Sequence, residues 1–147
     1  MKKALVVGVG PLNGLGAQLC KKIAQNNFEV FVAGRTEASI NEVVKSIHEE
    51  GNKAKSIIVD VTDENQTKKM VEEVGSGLDF AIYNVGNNTP GKIIDIEPSY
   101  FRESWESGCF GAFLFAREVI KVFLRDKTSG TLLFTGASAS LRGKANF

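Results

Sequence analysis

The 147-residue chain carries 18 Lys plus Arg against 17 Asp plus Glu, a formal charge of +1, with 43% hydrophobic and 24% charged residues. Those proportions fit one soluble globular domain and exclude a disordered chain, a collagen-like repeat and a disulfide scaffold. The near balance of charge, with no long run of one sign, provides no general field for nucleic acid or an anionic membrane, so neither is an expected partner. Any bound anion must be held by local geometry.

Two cysteines, Cys20 and Cys109, are too few and too far apart for a framework, and no Cys/His cluster has metal-ligand spacing. No metal site is expected. His48 is the only histidine, and its polar helical setting (Ser46, Ile47, His48, Glu49, Glu50) marks a surface residue rather than a catalytic base. The start, Met1-Lys2-Lys3 before an apolar run, has the outline of a secretion signal. That run is broken by Gly8, Gly10, Pro11 and Asn13, and Leu19 is too large for a cleavage site. A cytoplasmic protein with reduced thiols is expected.

Apolar runs of strand length alternate with amphipathic stretches of helical length, the pattern of a parallel sheet covered on both faces by helices. The first strand is Lys3 to Val9, and a helix from about Leu15 to Asn26 follows, with Leu15, Leu19 and Ile23 on one stripe and Cys20 beside them in the core. The second strand, Glu29 to Ala33, ends at Gly34-Arg35-Thr36. Thr36 can cap a helix carrying Ile40, Val43, Val44 and Ile47, which Gly51 closes. The third strand covers about Lys53 to Asp60; Asp63 with Gln66 three residues on then opens a helix bearing Met70, Val71 and Val74. A fourth strand, Leu78 to Asn84, leads through a turn-rich loop (Gly86, Asn87, Asn88, Thr89, Pro90, Gly91) to a long helical stretch from about Pro98 to Arg125. The fifth strand is Thr131 to Thr135. The fold class is α/β, a doubly wound, Rossmann-like parallel sheet of order 3-2-1-4-5. In that order the fifth strand is an uncovered edge, a hazard complete folds avoid. Sequence beyond Phe147 is therefore expected, the 147 residues being one dinucleotide-binding domain that lacks its catalytic and substrate part.

The sharpest signal is Val7-Gly8-Val9-Gly10-Pro11-Leu12-Asn13-Gly14-Leu15-Gly16, between a buried strand and an amphipathic helix. Gly10 is expected to make the turn, Gly14 to admit a pyrophosphate and Gly16 to pack helix on strand, while the helix N-terminus offers unpaired N–H groups and the positive end of its dipole. The alternative is a tight turn that binds nothing. A carboxylate at the end of the second strand would hold the ribose of NAD. Arg35 stands there instead, able to pair with a 2′-phosphate, and predicts NADP (NADPH); otherwise it is a solvated surface charge. The missing acid also argues against a methyltransferase.

These residues resemble the short-chain dehydrogenase/reductase family over the whole chain. Its T-G-x-x-x-G-x-G signature is similar to Val9-Gly10 through Gly16, with Val9 in place of the Thr. Its adenine-contacting D-V pair is similar to Asp60-Val61, and its N-A-G to Asn84-Val85-Gly86. The resemblance implies cofactor contacts at Gly10, Asn13, Gly14, Leu15, Gly16, Arg35, Thr36, Asp60, Val61, Asn84, Val85 and Gly86. It also implies hydride transfer between a nicotinamide and a small-molecule alcohol or carbonyl compound. In the family a Tyr acts as general acid/base, its pKa lowered by a Lys; a Ser orients the substrate oxygen and an Asn supports a proton relay. Here the Asn position falls on Gly108. Strict register puts the Ser position on Ala137, and a one-residue bulge would bring in Ser138, the catalytic candidate, whose other role is a local turn. The Tyr-x-x-x-Lys pair would lie beyond Phe147, and neither Tyr83 nor Tyr100 is placed for that work.

The aromatic-rich helix (Phe101, Trp105, Phe110, Phe113, Phe115, Phe123, with Val119) is expected to be thoroughly buried, in the core or against a second subunit, since the family forms homo-oligomers. Two functions follow: an NADP-dependent oxidoreductase when the chain is complete, or a nucleotide-binding protein without hydride transfer, a degenerate relative or a truncated product, for which Gly108, Ala137 and the missing Tyr-Lys pair speak.

Overall fold

The structure, a computed structural model, describes residues 1–87 and 89–143; Asn88 of the turn-rich loop and residues 144–147 lie outside the described residues. The alternation legible in the sequence becomes β1 (Lys2–Val7), α1 (Leu15–Ala24), β2 (Phe28–Gly34), α2 (Glu37–Glu49), β3 (Ala54–Ile58), α3 (Glu64–Val74) and β4 (Leu78–Tyr83). After a 3₁₀ turn at Ile93–Asp95 come α4 (Pro98–Trp105), a π turn (Glu106–Phe110), α5 (Gly111–Asp126), β5 (Thr131–Phe134) and a last 3₁₀ turn, Ser138–Ser140. The five strands form one parallel sheet in the order β3-β2-β1-β4-β5.

Alternation along β1 divides the core. Leu5 and Val7 join Phe31, Ala33 and Ala81 on the face covered by Met70 and Val74 of α3 and Phe115 and Val119 of α5. Val6, with Val30 and Val32, faces Ala17 and Cys20 of α1 and Ile40, Val43 and Ile47 of α2. Burial on both faces explains why β1 is nearly all apolar; each fully buried Val, Leu, Ile or Phe contributes about 1.5–3 kcal/mol. Cys20 is a core residue, as expected, and His48 is exposed, its Nε2 lying 2.9 Å from the Ala54 carbonyl.

Local signals set the helix starts unevenly. At α3, Asp63 accepts from the Gln66 N–H at 2.9 Å, a contact that holds its carboxyl below its usual pKa. The Gln66 side-chain carbonyl in turn accepts from the Asp60 N–H at 3.0 Å and anchors the end of β3. Thr36 does occupy the N-cap of α2, but its hydroxyl makes no capping bond. The first N–H groups of α2 are thus left to another acceptor.

One expectation needs correction. The stretch from Pro98 is not one regular helix: its ladder opens into the π turn at Glu106–Phe110, beside which the Ser104 and Ser107 hydroxyls donate back to the Tyr100 and Glu103 carbonyls at 2.7 and 2.9 Å. Within this one chain it is buried on one side, where burial in the core or against a second subunit was expected. Phe115, Val119 and Val122 join the core on the sheet and Leu114 is buried, whereas Phe101, Trp105 and Phe113 are half or more exposed, because only one side of the helix meets the rest of the domain. At the edge, Leu133 and Phe134 of β5 are about half exposed.

Candidate functional site

A cleft of about 220 Å³ opens at the carboxyl ends of β1 to β4, where the crossover direction reverses between β1 and β4. Its floor is the loop after β1. There the chain turns at Gly8, whose φ of 87° favours glycine, and a Cβ would press into the Asn84 carbonyl. The turn thus belongs to Gly8, where Gly10 was expected to make it, and β1 ends two residues short of Val9. The Gly8 and Val9 N–H groups both donate to the Ala33 carbonyl at 3.0 Å, and the Asn84 side chain donates to the Gly8 carbonyl at 3.1 Å. Gly10 is different: it lines the cleft and nothing lies within 4 Å of where its Cβ would be. Gly16 has the expected packing role, with a Cβ site 2.9 Å from the Gly8 carbonyl and 3.1 Å from Val9 Cα.

Arg35 and Thr36 form one end of the cleft. Arg35 is exposed and, among the described residues, has no ion-pair or hydrogen-bond partner, and Gly34 beside it is excluded from bearing a side chain by Val9 O, 2.5 Å from its Cβ site. Asp60 and Val61 form a second wall. Asp60 Oδ1 accepts from the Thr62 N–H at 3.0 Å and its hydroxyl at 2.7 Å, which fixes the carboxylate. Asn84, Val85 and Gly86 form the third, and Ser107 closes the cleft from the π turn.

Eight of the residues expected to contact a cofactor therefore line one cavity: Gly10, Arg35, Thr36, Asp60, Val61, Asn84, Val85 and Gly86. Gly14 is the N-cap of α1, so Asn13, Gly14, Leu15 and Gly16 form the adjoining loop and helix start without lining the cavity. Ser138 is exposed, begins the last 3₁₀ turn and does not line it; the β4–β5 register runs without a shift from Phe80–Thr131 to Tyr83–Phe134, so no bulge in the strand advances it. Sequence reasoning missed Gly8 as the turn, Thr62 and Ser107. Thr62 was within reach, two residues past an Asp at a strand end; Ser107 carries no local signal. Among the described residues no group of three or more His, Cys, Asp or Glu could hold a metal, and no helix is long and apolar enough to cross a membrane.

The model of the short chain dehydrogenase family matches residues 2–147. Trihydroxynaphthalene reductase of Colletotrichum orbiculare is 30% identical over 98% of this chain and 50% of its own. Versicolorin reductase 1 of Dothistroma septosporum is 31% identical over 97% of this chain and 54% of its own. A short-chain type dehydrogenase/reductase from Mycobacterium marinum superposes with a TM-score of 0.91 at 24% identity, covering 97% of this chain and 58% of that one. An actinorhodin polyketide ketoreductase solved with NADPH superposes at 0.89 and 22% identity, over 99% and 56%. The chain belongs to the short-chain dehydrogenase family. It spans about half the length of the relatives it matches.

Proposed function

We propose that this chain is the cofactor-binding part of an NADP-dependent oxidoreductase that interconverts a small-molecule alcohol and carbonyl compound. The observation that carries the cofactor choice is Arg35, a guanidinium lining the cleft with no carboxylate paired to it among the described residues. The residues fit the dinucleotide. The open face of Gly10 and the start of α1 would take the pyrophosphate, Arg35 with Thr36 and the uncapped start of α2 a 2′-phosphate, Asp60 and Val61 the adenine, and Asn84 to Gly86 a ribose. When bound, NADPH supplies the hydride. This chain's own part is to orient the cofactor through backbone donors and to hold its charge; Ser138 is the hydroxyl that this reading assigns to the substrate oxygen. A cytoplasmic setting and self-association through the exposed aromatic side of α4 and α5 complete the proposal.

Calorimetric titration of the full-length protein with NADPH and NADH tests it. NADPH should bind at least tenfold tighter, and a carbonyl panel should drive its oxidation. Equal affinities would reject the role of Arg35, and no binding of either would reject the dinucleotide site. A second reading has specific support: Gly108 and Ala137 stand where the family places an Asn and a Ser. On that reading NADPH binds and no carbonyl compound drives turnover.

A further inference from the structure

We infer that Tyr83 is a positioning residue of the cleft: its hydroxyl clamps the π turn against the ends of β3 and β4, so that Ser107 is held in the cleft lining with the glycine loop. This deepens the dinucleotide reading and rests on it. Of described residues 98–126, only Ser107 lines the cleft. It is the residue whose backbone carbonyl accepts the Tyr83 hydroxyl. A carbonyl drawn to a side chain leaves the helical ladder, and the ladder re-forms with the wider π spacing over Glu106–Phe110.

Gly111 clears the path of that hydroxyl: a Cβ there would stand 2.5 Å from Tyr83 Oη and 3.1 Å from the Val61 carbonyl. The ring itself cannot swing away. It is 2% exposed and is tilted against Phe115 and Phe134, with centroids 5.5 and 6.2 Å apart. A phenol buried so completely has to have a hydrogen-bond partner. The Tyr83 backbone extends the same junction, its carbonyl accepting from the Thr135 N–H at 2.9 Å. Next to it the Asn84 side chain holds the Gly8 carbonyl. One dipeptide at the end of β4 therefore ties together the glycine loop, the π turn and the start of the loop after β5, the first two of which line the cleft. Removal of the hydroxyl leaves the Ser107 carbonyl without its partner and frees the turn to slip toward α-helical register.

The test uses full-length Tyr83→Phe, Gly111→Ala and the double variant, with adenosine 2′,5′-bisphosphate and NADPH as ligands. Three quantities are read: affinity by calorimetry, amide hydrogen exchange at residues 107–111 without ligand, and the thermal midpoint. Tyr83→Phe should weaken both ligands about fivefold, the equivalent of one hydrogen bond, and speed exchange in the turn. Gly111→Ala alone should weaken binding, but should add less than twofold on top of Tyr83→Phe, because its methyl group no longer meets a hydroxyl. A lowered midpoint with both affinities unchanged, measured where every variant is folded, would make Tyr83 a structural residue only and overturn the inference. Unchanged exchange in Tyr83→Phe overturns the clamp whatever the ligands do. Failure of the unmodified protein to bind either ligand, with exchange still accelerated in the variant, refutes the dinucleotide reading and with it the positioning role, while the clamp stands.

Discussion

Replacing Gly10 and Gly16 separately with Ala should divide the glycine loop into a binding half and a packing half. At residue 16 the added Cβ would sit 2.9 Å from the Gly8 carbonyl, 3.0 Å from Asn84 Nδ2 and 3.1 Å from Val9 Cα, where ordinary contact begins at 3.4 Å. Two of these are backbone atoms of the turn, and the third donates the 3.1 Å bond that ties β4 to it. Overpacking of this kind costs about 1–3 kcal/mol, and the disturbed hydrogen bond adds about 1 kcal/mol. The better helix propensity of Ala returns about 0.5–1 kcal/mol, for a net loss of about 2 kcal/mol. With an unfolding entropy of about 2.1 cal/mol/K per residue, a chain of 147 residues loses about 6 °C of thermal midpoint. At residue 10 nothing lies within 4 Å and φ is not in the left-handed region, so Gly10→Ala should leave the midpoint within about 2 °C while narrowing the phosphate cradle. Differential scanning fluorimetry with and without NADPH reads both effects. Ligand should raise the midpoint of Gly16→Ala but barely that of Gly10→Ala. The same ligand response in Gly10→Ala as in the unmodified protein would refute the cradle, and an unshifted midpoint in Gly16→Ala would refute the packing argument.

Arg35→Asp should lower NADPH affinity by roughly tenfold to a hundredfold relative to NADH, the loss of a charge-assisted contact of about 1–3 kcal/mol; an unchanged ratio in calorimetry would reject the pairing. Gly108→Ala, at a helical position with open space around it, should raise the thermal midpoint by about 2 °C from the removal of glycine's conformational cost. A fall would show that the π turn requires glycine. At pH 8, a maleimide should label one thiol of the native protein and two after denaturation. Cys109 is exposed, whereas Cys20 is fully buried and burial pushes its thiol up to about 12. Two labels in the native protein would contradict the packing of α1. Asp63→Ala should destabilise α3 by removing the acceptor of the Gln66 N–H, an effect that fades as pH falls because the native carboxyl, held low, loses its advantage once protonated in both states. Thermal scans across acidic pH check it.

Periodicity and punctuation determined most of this molecule in advance. The strand order follows from strands alternating with helices, whose right-handed crossovers leave few arrangements. The start of α3 at Asp63 and the core place of Cys20 follow from neighbours a few positions away, and the packing of Gly16 from the glycine spacing between strand and helix. Of the eight cleft residues, Gly10, Arg35 and Thr36 were legible in the glycine pattern and the end of the second strand, and Asp60, Val61, Asn84, Val85 and Gly86 through the resemblance to family motifs; parallel strands bring their carboxyl ends to one edge, so these distant stretches converge on one cavity. Tertiary structure alone decided three things: that Gly8 makes the turn, that the long helix opens into a π turn, and that Ser107 closes the cleft. Each depends on an atom distant in sequence, the Asn84 carbonyl for the first and the Tyr83 hydroxyl for the other two. The exposed side of Phe101, Trp105 and Phe113 belongs with these, because a helical stripe states which residues share a face, and only the surrounding chain determines whether anything covers it.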